Sequence, residues 1–394
     1  MLFRARVGTF LTFALGGLLC GVWVARMPAL TDKFGLGAGS VGVVLLVWGL
    51  AAIVAMQVLQ RVIARTGSRR VLRVAAPLTA LSAILLALAP TYATLLVSVT
   101  LFGMTFGVMD VSMNAQGSVV ERAHRRPLMS GMHAGWCVGA MSGGLFGALT
   151  AALGWSFTQA VLVGAIVSLP AALALGRTYL ADPPALVAVS AKRSRLPLIV
   201  YLLGALAFLA FMAEGAIADW SGLLLRDDLH AAEAVAALGY PLFEAAMLCG
   251  RLVGDRVRTR LGTRLLLTLA GAGTAVGMTT VLLAPNVPTA LAGFFLTGLM
   301  VCTIVPTMIS LAGTVAPGRS AASVAQVGTM GYGGLLLGPV VIGFLAESTS
   351  IHLGLSVVVG LAAAIAVAAR FLPLSAAEDV AVAREAPERE LMAA

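Results

Sequence analysis

Gln60-Arg61-x3-Arg65-x-Gly67-x-Arg69 and Asp255-Arg256-x3-Arg260-x-Gly262-x-Arg264 are one pattern written twice, 195 positions apart. Each copy is basic, follows one apolar stretch and precedes another. A second pair keeps the same offset: Gly139-x3-Gly143 returns as Gly334-x3-Gly338. The chain therefore reads as two related halves, with both basic copies at one membrane surface. Two parallel helical units facing each other across a bilayer form a cleft that opens to either side. That arrangement implies movement of a solute.

Hydrophobic residues make up 60% of the 394 positions and charged residues 11%, where a soluble domain carries about 25% charge. So little charge cannot cover a wet surface, and lipid must be the main solvent. The net charge of +9 does not point to nucleic acid, because its arginines sit in short loops between apolar spans rather than on a soluble basic face. Cys20, Cys137, Cys249 and Cys302 all lie in apolar runs, without CxxC or Cys/His spacing. They read as small buried hydrophobes, not as a disulfide framework or a metal site. Arg4 and Arg6 precede an apolar run that continues to about Pro28, too long for a signal peptide. It is the first membrane helix.

At about 20 apolar residues per crossing, twelve spans are expected: 7–30, 39–60, 71–90, 93–116, 128–153, 156–177, 197–225, 233–254, 264–285, 288–314, 320–346 and 351–372. They divide into a bundle over 1–178, a linker over 179–196, a second bundle over 197–372 and a solvated, disordered tail over 373–394. Twelve crossings put both termini on one side. The loops after spans two, four, six and eight are rich in arginine, while the other side's loops carry only Lys33 and Arg226. The positive-inside rule then sets both termini in the cytoplasm.

Twelve spans in two halves, with basic loops after spans two and eight, resemble the major facilitator superfamily over nearly the whole chain. The resemblance implies an all-α membrane protein of two pseudo-symmetric six-helix bundles. In that superfamily the loop signature latches the cytoplasmic side, so a latching role falls on Arg65, Arg69, Asp255, Arg256 and Arg260. Gln60 stands where the first copy of the signature has an aspartate. Gly21-Val22-Trp23-Val24-Ala25-Arg26-Met27-Pro28 and Asp110-Val111-Ser112-Met113-Asn114-Ala115-Gln116-Gly117, followed by Arg126-Pro127-Leu128-Met129-Ser130 and His133, narrow it. They resemble a bacterial subgroup near the fucose permeases that includes a rhizopine-associated membrane protein. Fucose permeases are proton-coupled sugar importers with an acidic residue in the fourth span, which favours Asp110 as the coupling group.

Ionisable residues inside spans are costly and mark paired or functional positions. Gly103, Gly107, Asp110 and Asn114 share one face of the fourth span. Asp110 is expected about 10 Å from the cytoplasmic end, with His133 at similar depth and Trp136 one turn further on. Such a pair either exchanges protons or is a fixed structural link between spans four and five. Arg26, Glu214 and Asp219 fall toward the outer ends of spans one and seven. Arg26 is expected either to pair with Glu214 or Asp219 when the outside closes, or to hold an anionic or polyhydroxy solute. Asp219 with Trp220 alternatively reads as an interfacial pair. Glu244, after Pro241 in span eight, has no Lys or Arg near it at that depth in this reading and is a second proton site. Gln326 and Tyr332 either contact solute or serve packing.

No phosphate-binding loop, nucleophile–base set or metal cluster occurs in the sequence, so ATP drive and enzymatic chemistry are unsupported. The expectation is a monomeric secondary transporter in a bacterial inner membrane. It moves a small sugar-, cyclitol- or amino-sugar-like solute by proton symport, with no cofactor beyond the proton. The alternatives are proton-driven export of a drug or metabolite, and a non-transporting receptor on the same fold.

Overall fold

The computed structural model describes residues 2–124, 128–181, 195–316 and 319–374. The side chains of Gln60, Arg61, Ser130 and Asp255, the loop residues 125–127, and most of the expected linker and tail lie outside that description. The first half holds α1 (Leu2–Ala25), α2 (Met27–Phe34), α3 (Ala38–Thr66), α4 (Ser68–Leu88), α5 (Tyr92–His124), α6 (Met129–Ala152) and α7 (Phe157–Leu175). The second holds α8 (Leu198–Asp227), α9 (Glu233–Ala236), α10 (Gly239–Leu261), α11 (Thr263–Leu282), α12 (Val287–Val301), α13 (Ile304–Thr314), α14 (Ser320–Ser348) and α15 (Ile351–Arg370). Among the described residues, twelve helices, or helix pairs, are long and apolar enough to cross a membrane. Val54, Val58, Leu85, Val167 and Val276 stand exposed on the outside of the bundle, as lipid-facing positions do.

The repeat is visible in the backbone. Gly67 ends α3 at φ 85° and ψ 151°, and Gly262 ends α10 at φ 76° and ψ 164°. Side chains rarely tolerate that region, so each copy of the basic motif needs its glycine to turn the chain from one span into the next. The glycine pair does a different job. A Cβ on Gly139 would lie 1.9 Å from the Ala14 carbonyl oxygen, and one on Gly143 2.2 Å from that of Leu18. Gly334 and Gly338 meet the Phe208 and Met212 carbonyls at 2.0 and 2.2 Å in the same way. The crossings of α1 with α6 and of α8 with α14 are thus backbone on backbone, the packing that small residues permit where no hydrophobic drive separates helix from lipid. The halves meet where α3 packs on α14 and α6 on α10.

Three spans depart from the expected outline. The first stops at Ala25, and α2 starts afresh with Pro28 in its first turn, where a missing amide hydrogen costs nothing. The eighth begins with the single turn α9 before Gly239. The tenth breaks between α12 and α13 at Cys302–Thr303, because the ring of Pro306 excludes the carbonyl of the residue four before it. The fourth span, in contrast, runs unbroken to His124. Asp110 therefore lies 14 residues from that end, about 21 Å at 1.5 Å per residue, and is deeper than the expected 10 Å. Below, the face carrying both termini is the terminal face, and the other is the opposite face.

Candidate solute pathway

The opposite face is sealed between the halves. Arg26, the residue between α1 and α2, is completely buried. Its Nη1 pairs with Glu233 Oε1 of α9 at 2.9 Å, and its Nη2 donates to the Trp155 carbonyl. The partner is thus neither Glu214 nor Asp219, as the sequence suggested: Arg26 stands at the very end of α1, level with the α8–α10 connection that carries Glu233. A second arginine locks in the reverse sense. Arg226, at the end of α8, donates to Asp32 Oδ1 at 3.0 Å, the Pro28 carbonyl at 2.7 Å and Thr31 Oγ1 at 3.1 Å. It also pairs with Asp227 at 2.6 Å, the residue 195 positions after Asp32. Glu347 of α14 accepts from the Gly39 amide at 2.8 Å, in the first turn of α3. Lys33 ties α2 to its own half, donating to Ala87 O and Thr158 Oγ1; burial lowers its pKa below the ordinary lysine value.

Below this seal, polar groups from both halves line the seam. Asp110 of α5 accepts from Tyr332 Oη of α14 at 2.7 Å, across the halves. It also accepts from Asn114 Nδ2, one turn along its own helix, at 3.2 Å. Tyr332 stacks on Phe211, ring centroids 6.0 Å apart. The expected pairing of Asp110 with His133 is not formed. His133 sits edge-on to Phe13 and is exposed, because the helix rise that deepens Asp110 leaves His133 only one turn inside α6. Trp136 packs edge-on against Phe106, which also meets Trp48, so the first half presents an aromatic wall.

The second half presents charge. Arg251 of α10 reaches across the seam to Cys137 Sγ of α6 at 2.9 Å. Its charge acts on Glu214 of α8 and on Glu244, two turns back along α10. The reading of Glu244 as remote from any cation is therefore corrected: Arg251 is that cation. Tyr240 Oη donates to Glu244 Oε1 at 2.9 Å. Glu214 Oε1, Glu244 Oε2 and Arg251 Nε are buried without a hydrogen-bond partner among the described residues. Arg251 was legible as an arginine inside the eighth apolar span, four residues before Asp255, but the adjoining basic motif masked it. Asp219 is half-buried beside Cys20. Its neighbour Trp220 is 1% exposed and donates to the Pro339 carbonyl at 3.1 Å, which removes the interfacial reading of that pair.

Asp110, Asn114, Trp136, Glu214, Arg251, Gln326 and Tyr332 are all half-buried although they lie within the bundle, as residues lining an open crevice must be. Gln326 makes no hydrogen bond among the described residues. Toward the terminal face Arg65, Arg256 and Arg260 are exposed and make no ion pair among the described residues. Arg69 is half-buried with its Nε unpartnered. The Asp255 side chain, the acid of the expected latch, lies outside the described residues. Inter-half hydrogen bonds and ion pairs between described residues thus run from the midplane to the opposite face.

Two six-helix bundles with a polar seam, sealed at one end by reciprocal arginine locks, have the make-up of a membrane carrier. The sequence profile of the Major Facilitator Superfamily matches residues 7–206 and again residues 203–393, once per half. The chain is 33% identical over 365 residues to the uncharacterized transporter y4wD of Sinorhizobium fredii, covering 91% of this chain and 96% of that protein. It is 30% identical over 369 residues to the membrane protein MosC of Rhizobium meliloti, covering 91% and 88%. The crystal structure of a D-xylose–proton symporter superposes with a TM-score of 0.77 over 94% of this chain and 97% of that one, at 15% identity. The chain belongs to the major facilitator superfamily, and is a transporter rather than an enzyme.

Proposed function

We propose that this transporter carries a small polar organic solute of the sugar or cyclitol kind inward by proton symport, as a monomer in a bacterial inner membrane. Both termini are cytoplasmic in this reading, supported by the arginine bias of the loops on the terminal face. The observation that carries it is the set of ionisable groups inside the spans and on the seam itself, Asp110 bonded across the halves to Tyr332 and Glu214 with Glu244 around Arg251. Charges so placed are costly unless they serve a cargo or a coupling ion.

The chemistry follows from the bonds. An ionised Asp110 holds Tyr332 by a charge-assisted hydrogen bond, and a neutral carboxyl holds it more weakly. A proton arriving at Asp110 therefore loosens α5 from α14, while the solute bridges Asn114, Trp136 and Tyr332 to the Glu214–Arg251 wall. Coupling arises because the two ligands bind the two states unequally. Gln326 at the terminal end of α14 and His133 at the terminal end of α6 flank the exit. The latch of Arg65, Arg69, Asp255, Arg256 and Arg260 closes that end in the alternate state, when the arginine locks of the opposite face separate.

The test is flux into proteoliposomes under an imposed proton gradient, across sugars, cyclitols and amino sugars. Uptake with co-movement of protons is expected. Solute and proton moving in opposite directions would replace symport by antiport, and no flux of any solute would end the transport reading.

A further inference from the structure

A groove of about 170 Å³ lies between the start of α1 and the end of α7, on the outside of the first bundle at the terminal face. Val7, Leu11 and Leu175 form its walls, and Gly8, pressed on Thr178, its floor. Arg4 stands at its mouth beside Phe3, which is 74% exposed. Arg177, next to Thr178 in the chain, is exposed as well. Neither arginine makes a hydrogen bond or ion pair among the described residues. The described acid of this half on that face, Glu121, is engaged by the amides of Leu128 and Met129 at 2.6 and 2.9 Å. The uncompensated guanidinium of Arg4 thus borders an apolar slot that opens toward lipid, and that of Arg177 starts one residue from its lining.

We propose that this groove is a binding site for an anionic phospholipid, with the phosphate on Arg4 and Arg177 and one acyl chain along Val7, Leu11 and Leu175. Seven residues separate Arg4 from Leu11, about 10 Å along the helix, the step from headgroup level into the acyl region. Basic pockets between helices at a membrane surface select anionic headgroups, and a zwitterionic lipid brings an ammonium toward two unpaired cations. A soluble anion gains nothing from the apolar walls. The positions 195 further on are Ile199 and Leu372, so the second half lacks both guanidinium groups. The repeat-equivalent positions thus do not reproduce the pair, which is a feature of the first half. It is independent of what the central crevice carries.

Native mass spectrometry of the purified full chain, titrated with phosphatidylglycerol and phosphatidylethanolamine of identical acyl chains, tests this. One phosphatidylglycerol is expected to be retained about tenfold more tightly than phosphatidylethanolamine, from two arginines at the headgroup. Arg4→Gln/Arg177→Gln is expected to lose that preference, and Arg6→Gln, on another side of α1, to keep it. Size-exclusion monodispersity shows that each surface variant is folded. Equal retention of the two lipids, a preference surviving in the double variant, or glycerol phosphate binding as tightly as the lipid would each overturn the proposal.

Discussion

Asp110 is bonded on both oxygens, to Asn114 on its own helix and to Tyr332 on the other half, so its proton is tied to the geometry of the seam. Asp110→Asn keeps the shape and removes the titration. We expect proton-driven accumulation to be lost while solute counterflow without a gradient persists; loss of both would make Asp110 a binding or structural group. Arg251 is a different case, because Glu214 and Glu244 share it. Removing one partner of a wholly buried charge cluster costs about 3–5 kcal/mol; Arg251 and Glu214 are half-buried, so solvent screens part of that loss. Arg251→Met should therefore lower the melting temperature clearly, and Arg251→Met/Glu214→Gln should recover much of the loss. A double variant no more stable than the single one would show that the two groups do not compensate each other.

At the scale of the helix, the crossings of α1 with α6 and of α8 with α14 rest on glycines whose missing side chains would fall on backbone carbonyls. A carbonyl in a packed helix cannot turn aside as a side-chain tip can. Gly139→Val and Gly334→Val should each cost about 1–3 kcal/mol or more by overpacking, read as a lower melting temperature and poorer monodispersity. Gly131→Ala is the control, since nothing lies within 4 Å of its added carbon; comparable damage there would defeat the packing argument. This layer was legible in the sequence because both halves obey one offset, so that Gly139 predicts Gly334 and Gly67 predicts Gly262. The spans were legible from their apolar length. The pairing across the seam was not. Arg26 finds Glu233, and Asp110 finds Tyr332, through contacts between halves that no local pattern encodes. Arg251 falls under the rule that a charge within a span is paired or functional, yet the reading of the eighth span passed over it.

For the molecule as a whole, the two arginine locks set which face is shut. Arg26 from the first half grips Glu233 in the second, and Arg226 from the second grips Pro28, Thr31 and Asp32 in the first. Their reciprocity means that opening this face must break both together, which favours a rocking of rigid halves over the motion of one loop. Arg26 is fully buried whereas Glu233 is 34% exposed, so solvent screens part of the pair and the loss falls below that of a wholly buried one. An energy of about 2–3 kcal/mol shifts a two-state equilibrium roughly 30- to 150-fold. Glu233→Ala/Arg226→Ala should therefore convert a large share of the protein to the form open on the opposite face. Pro90 and Pro285 offer the ruler: both are exposed on that face, one in each half, and they are 195 positions apart. Nitroxides at Pro90→Cys and Pro285→Cys, with the exposed Cys249 changed to serine, should report a longer distance in the lock variant by pulsed electron resonance. The terminal face should narrow in step, because rigid halves that part at one end converge at the other. If the 90–285 distance distribution stays as it was, the two arginines brace the loops and do not govern access.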